Sequence, residues 1–120
     1  MKFESGSYYH IYNRGVDSSP TFLTTRDYSF FLEKFNFYLS LSTESLAYCI
    51  LRNHFLFLIK VLNKNEMDDK IRFISDSEYE FYYTLPSPKN KHFPIHTLIG
   101  HWMNSYSKYF NKKYNRSGPL

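Results

Sequence analysis

One histidine is the residue of this chain whose position most clearly suggests chemistry. His54 begins a run of strand-forming residues, His54–Lys60, that follows a polar corner at 51–53. Side chains along a strand alternate between its two faces, so position 56 faces the same side as His54. Two histidines placed in this way could bind one divalent cation and leave coordination positions open for a phosphate. Position 56 is Leu56, which has no lone pair to donate.

The sequence leaves two interpretations of His54 open. It is either a metal ligand supported by a carboxylate or a half-buried strand histidine held by a hydrogen bond. His10, on the first predicted strand, could join His54 in a composite site if both face the same side. His96 and His101 are five residues apart, which is off the four-residue spacing that stacks two ligands on one helix face. The chain has no glycine-rich phosphate loop and no Cys-x-x-Cys pair.

Basic residues are concentrated in the last part of the chain. Residues 1–85 contain 9 Lys and Arg against 11 Asp and Glu, whereas 86–120 contain 6 Lys and Arg and no acidic residue. A segment of this kind is typical of proteins that contact phosphates, although a solvated helix face is the alternative. The residues predicted to contact nucleic acid are Arg14, Lys108, Lys112, Lys113 and Arg116.

Aromatic residues alternate with those lysines and have two interpretations. Tyr106, Tyr109 and Tyr114 could stack unpaired bases beside the phosphates. With Trp102 and Phe110 they also recur at spacings of three and four, which predicts the buried stripe of a helix.

Periodicity predicts a single α+β domain over residues 1–120, with an antiparallel sheet and helices on one face. The predicted strands are Tyr8–Arg14, Leu46–Leu51 and His54–Leu62, with a linker at 42–45. The predicted helices are Arg26–Leu41, Glu66 to about Ser75 and Ile95–Tyr114. The stretch Glu78–Leu85 fits either a helix or a strand, and prolines after it predict a loop.

Composition indicates where the protein functions. A single cysteine argues for a reducing compartment and against a disulfide framework. The chain has neither a run of 18 apolar residues nor a charged-then-apolar leader, so we expect no membrane span, no secretory signal and a cytoplasmic protein. Aromatic residues make up 21% of the chain and can supply a packed core.

Four segments resemble the single-tyrosine HUH transposases, in particular the REP-associated tyrosine transposases. Tyr48–Lys60 resembles the family's metal-binding strand, which normally reads Asn-His-hydrophobic-His. Tyr8–Gly15 is similar to its first strand and 26–32 to the opening of its first helix. Residues 102–120 resemble the helix and turn that precede its catalytic region. The four segments follow the family's order and span most of the chain.

The resemblance implies a ferredoxin-like fold and a mechanism. Intact members hold Mg²⁺ or Mn²⁺ with two histidines and a polar ligand, and a tyrosine on a later helix attacks a DNA phosphate. His54 matches the first histidine, and Leu56 stands where the second would be. The nucleophile lies beyond an Arg-x-Gly-x-Leu turn, at which this chain ends, so we expect the C-terminal catalytic tail to be missing. Tyr106, Tyr109 and Tyr114 are the nearest remaining tyrosines.

These observations favour a transposase-like DNA-binding protein. Intact members cleave and join single-stranded DNA; in this copy we expect impaired catalysis and no tightly bound metal. The expected partners are single-stranded or hairpin DNA and a second copy in a homodimer. The alternative is a non-catalytic nucleic-acid-binding or regulatory domain on the same scaffold, and an unrelated α+β interaction module is a third reading.

Overall fold

In the described part of the chain, the protein is an α+β fold with three helices and a three-stranded antiparallel sheet. The computed structural model describes residues 2–14, 20–76 and 94–120. The elements are β1 (Tyr8–Arg14), α1 (Thr25–Leu39), β2 (Thr43–Leu51), β3 (His54–Val61), α2 (Lys64–Asp76) and α3 (Ile95–Lys113). The strand order is β1-β3-β2. The predicted fold class is therefore confirmed; the stretch Glu78–Leu85 and the prolines at 86 and 88 lie outside the described residues.

The central strand β3 has one buried and one partly exposed side. Phe55, Phe57 and Ile59 are buried, whereas Leu56 is 40% exposed and His54 is half-buried. Residues paired across an antiparallel sheet share a face, so the register extends this division to β1 and β2. We call the side that carries His54 the open face; it comprises Tyr8, His10, Tyr12, Glu44, Ala47, Cys49, Leu51, His54, Leu56, Leu58 and Lys60.

Helices α1 and α3 pack on the other side of the sheet and form the core with it. Phe31 of α1 lies 4.9 Å from Phe55, ring centre to ring centre, and Phe35 lies 4.7 Å from Phe57. Trp102 of α3 is fully buried against these rings, and its indole N–H donates to the carbonyl oxygen of Phe31 at 3.0 Å. The prediction that the first and last helices share one face of the sheet is confirmed.

The predicted linker at 42–45 is wrong, because β2 begins at Thr43. Thr43 pairs with Val61, and its hydroxyl donates to the carbonyl oxygen of Leu39 at 2.7 Å. Serine and threonine suggested a loop, but the hairpin continues past them through a register shift between Ser45 and Ala47. Pairing with β3 satisfies backbone groups that a loop would expose, which overrides the local composition.

Helix α2 lies at the Thr43 end of the sheet. Asn63 and Glu66 exchange side-chain and backbone hydrogen bonds at its start, the reciprocal pattern of a capping box. The Lys70 ammonium donates to the carbonyl oxygen of Thr43 at 2.9 Å, and the Lys60 ammonium pairs with Glu66 at 3.2 Å. Of the helices in the described part of the chain, none is long and apolar enough to cross a membrane.

Candidate nucleic-acid interface

His54 lies at the turn end of β3 and is fixed by its neighbour. Its Nδ1 atom is 2.8 Å from the side-chain oxygen of Asn53, and the ring is half-buried. The residue pairs with Leu51 on β2 and Arg14 on β1. Of the two interpretations of the sequence, this geometry matches the half-buried strand histidine with a hydrogen bond.

A groove on the open face surrounds position 56. Tyr12 and Cys49 pair with Leu56 from its two sides, and His54 is two residues away on the same strand. The groove has a volume of about 480 Å³ and is also lined by Asn13 and Phe55. Leu56 therefore lies at the centre of this groove, at the position where a second histidine would share the face of β3 with His54.

His10 and His54 share the open face but cannot share a metal ion. His10 pairs with Leu58, so the two histidines are four residues apart in the register of β3. Four residues of strand span about 13 Å. Metal–nitrogen bonds are only about 2 Å long, so the composite site of His10, His54 and a carboxylate does not form.

Few metal-binding groups lie near His54 in the described part of the chain. Within residues 2–14, 20–76 and 94–120, no three histidine, cysteine or carboxylate side chains lie close enough to hold one ion. The groove around His54 is lined by Tyr12, Asn13, Cys49, Phe55 and Leu56, and the side-chain oxygen of Asn53 lies at its Nδ1 atom. Mg²⁺ and Mn²⁺ prefer carboxylate, carbonyl and water oxygens; among the described residues that line the groove none has a carboxylate, and Asn13 and Asn53 have only amide oxygens.

Tyr106 and Tyr109 of α3, and Tyr114 directly after it, lie in the helix layer, on the opposite side of the sheet from His54. Tyr106 is buried, and its hydroxyl donates to the carbonyl oxygen of Thr21. The hydroxyls of Tyr109 and Tyr114 donate to Asp27 at 2.7 and 2.6 Å. Burial raises the pKa of the Tyr106 phenol well above its usual range, which makes it a poor nucleophile.

Asp27 is the acceptor that joins α1 to α3. Its carboxylate is fully buried and caps α1 by accepting from the backbone N–H groups of Leu23 and Thr24. The Lys113 ammonium donates to it at 2.8 Å. Burial acts to raise the pKa of Asp27, but the hydrogen bonds from Lys113, Tyr109 and Tyr114 outweigh it and hold this pKa well below its usual range.

The predicted DNA-contacting residues divide into three groups. Lys113 is bound to Asp27, and Arg116 donates to the side-chain oxygen of Asn111 and the carbonyl oxygen of Pro119. Lys108 and Lys112 are exposed on α3, each two positions beyond a buried residue of that helix. Two positions turn an α-helix by about 200°, so both lysines point away from the sheet.

Arg14 stands apart from this helical group, because it ends β1 opposite His54. The structure thus does not gather the predicted site residues on one surface. It pairs the backbones of Arg14 and His54 at one end of the sheet, and it places Lys108 and Lys112 on the far side of the helix layer.

Sequence reasoning missed the exposed aromatic side chains of β1. Tyr8 and Tyr12 are 60% and 75% exposed, and His10 between them is exposed as well. Their neighbours Tyr9 and Ile11 point to the helix side and pack against the core. The alternation in the β1 sequence YYHIYNR carried this signal, because it places three aromatic rings on a single face.

Comparisons with protein-family models, with curated proteins and with solved structures find no match for this chain.

Proposed function

We propose that this chain is a transposase-like DNA-binding protein that binds single-stranded or hairpin DNA without cleaving it. The proposal rests on the open face. There the segment that resembles a transposase metal-binding strand places His54 in one groove with Tyr12, and β1 ends opposite His54. The basic surface of α3 adds a second region that attracts phosphates through Lys108 and Lys112.

Loss of cleavage follows from the surroundings of His54. Leu56 supplies no ligand, and the hydroxyls of Tyr106, Tyr109 and Tyr114 are engaged on the opposite side of the sheet. The Asp27 carboxylate accepts from Tyr109 and Tyr114, but its pKa is held well below its usual range, which makes it a weak base, and Tyr106 donates to a backbone carbonyl oxygen. The non-catalytic binding domain is therefore the variant of the proposal that we favour.

Incubation of the full chain with labelled hairpin DNA and Mn²⁺ tests both halves of the proposal. We expect a mobility shift on a native gel and no shifted band on a denaturing gel. A band that survives denaturation would show that a tyrosine attacks the DNA; Tyr12, which lies in the groove with His54, would be the first to replace with phenylalanine. Absence of a native shift with hairpin and single-stranded DNA would contradict the binding function itself.

Salt dependence tests the role of the α3 surface. We expect affinity to fall steeply with salt, because each phosphate contact releases counterions, and the double variant Lys108→Gln and Lys112→Gln to lower the logarithmic salt slope by about 2. Lys64→Gln removes an exposed lysine at the start of α2 and should leave the slope unchanged. Equal salt slopes for the wild type and the double variant would show that Lys108 and Lys112 do not contact DNA phosphates.

Replacing Leu56 tests why catalysis is lost. Leu56→His places a second imidazole two residues from the first on the same face of β3. We expect tighter Mn²⁺ binding by calorimetry and still no covalent adduct, since the tyrosines of α3 remain on the other side of the sheet. Leu46→His adds an imidazole on β2, paired with neither His10 nor His54, and is the matched control. Equal Mn²⁺ affinities for the two variants would contradict this explanation.

A further inference from the structure

We infer that Tyr8, His10 and Tyr12 form a base-stacking ladder for an extended single strand of DNA. The inference rests on the proposed function and goes beyond it, because it identifies which side chains contact the bases and which form of DNA they select. All three residues lie on the open face of β1, and all three are exposed.

The spacing of the ladder selects unpaired bases. Side chains two residues apart on one strand are separated by about 7 Å. Neighbouring bases of a duplex are only about 3.4 Å apart and are already stacked on each other. Bases that rest on successive rings of the ladder must therefore be pulled apart, which an extended single strand allows and a duplex does not.

Exposure distinguishes these rings from the other aromatic residues of the sheet. Tyr9, which alternates with them, packs against Phe3 with ring centres 4.7 Å apart, and its hydroxyl accepts from the backbone N–H of Glu4. Tyr8 and Tyr12 instead leave most of their surface to solvent, at 60% and 75%. Holding two tyrosines in this way has no benefit for the core, and it presents π-faces that any base can stack on.

Charge along the ladder is compatible with a nucleic-acid backbone. The β1 sequence YYHIYNR contains one arginine and no acidic residue. Lys60, which pairs with Tyr8 on the open face, adds an ammonium at the other end, where it is also bound to Glu66. Glu44 faces the same side but lies on β2, across the central strand. The ladder strand itself brings no carboxylate to the phosphates, and because Lys60 is matched by Glu66 and Glu44, we assign the ladder's contribution to stacking on its rings.

Fluorescence anisotropy with a labelled oligothymidylate tests the ladder in the full chain. Tyr8→Leu and Tyr12→Leu keep an apolar side chain and remove the ring, and each should weaken binding about tenfold, whereas Tyr12→Phe should bind like the wild type. Phe73→Leu makes the same chemical change at an aromatic residue of α2 that is 59% exposed, and it should have no effect. An abasic strand of equal length keeps the phosphates and should bind wild type and Tyr12→Leu equally weakly.

Each other outcome overturns a defined part of the inference. If the wild type binds the oligonucleotide and the leucine variants bind it equally well, the ladder is wrong and the proposed function stands. Duplex DNA that binds as tightly as the single strand would overturn selection of unpaired bases. An RNA strand of matching sequence that binds as tightly as DNA would overturn the assignment to DNA. If no nucleic acid binds, the proposed function fails and the ladder fails with it.

Discussion

At the scale of single residues, Asp27 is the charged group on which the helix layer most depends. Its carboxylate has no solvent exposure, yet it accepts from two backbone N–H groups, two phenols and an ammonium. A buried charge is tolerated only when donors satisfy it in this way. The carboxylate thereby fixes the start of α1 against the end of α3.

We predict that Asp27→Asn lowers the free energy of unfolding by about 3 kcal/mol near neutral pH, since it leaves the surrounding donors without a charged acceptor. The pKa of Asp27 is lower in the folded than in the unfolded chain. Its stabilising contribution is therefore complete above the unfolded-state pKa of about 4 and is lost as the pH falls toward the folded-state value. Urea unfolding should show the difference between variant and wild type shrinking from about pH 5 toward pH 2.

Glu33→Gln is the control for that experiment. Glu33 pairs with Arg26 at 2.8 Å, but both side chains are more than half exposed. Exposed ion pairs contribute little, so we expect a change of less than about 0.5 kcal/mol. A loss for Asp27→Asn no larger than that of the control, or one that does not vary with pH, would contradict the role assigned to the buried carboxylate.

The sequence could have revealed half of the Asp27 arrangement. Thr24 and Asp27 are spaced as in a capping box, a pattern that can be recognised within four residues of sequence. The other half comes from Tyr109, Lys113 and Tyr114, which are 82 to 87 residues away along the chain. Helical spacing predicted that these residues lie near one another, but no local pattern shows which distant acceptor they meet.

At the scale of secondary structure elements, β3 determines which side chains enter the core and which remain available for binding. Alternation along His54–Val61 made both faces predictable from the sequence. The start of β2 was not predictable, because Thr43 to Ser45 have loop-like composition and become a strand only through pairing with the far end of β3. The surroundings of Leu56 were not predictable for the same reason, since its neighbours Tyr12 and Cys49 come from two other strands.

We predict opposite outcomes for two neighbouring substitutions in β3. Phe57→Ala removes a ring that is 1% exposed and should lower the free energy of unfolding by about 4 kcal/mol. Leu56→Ala truncates a side chain that is 40% exposed and should lower it by less than about 1 kcal/mol. Thermal or urea unfolding of both variants measures the difference. Similar losses at the two positions would mean that the open face is buried against another part of the protein.

At the scale of the whole molecule, both outer strands of the sheet have an unpaired edge within the described residues. The order β1-β3-β2 leaves β1 and β2 with one neighbour each. Most side chains of β2 are exposed on both of its faces, including Leu46, Tyr48 and Leu51 at 48%, 57% and 47%. An apolar edge strand is a template for pairing with another chain. Sequence periodicity predicted the strands, but the order that creates these edges follows only from their long-range pairing.

We predict a homodimer in which β2 pairs with β2 of a second copy, because a two-fold axis brings the same edge of both chains together. Sedimentation velocity should show the sedimentation coefficient rising with concentration as monomers associate. Leu46→Lys places a charge at the edge, which opposes strand pairing, and should keep the protein monomeric. Leu23→Lys makes the same change at a leucine that is 42% exposed and lies outside the sheet, so it should dimerise like the wild type. A wild-type protein that stays monomeric at high micromolar concentration, or a Leu46→Lys variant that still dimerises, would contradict pairing through β2.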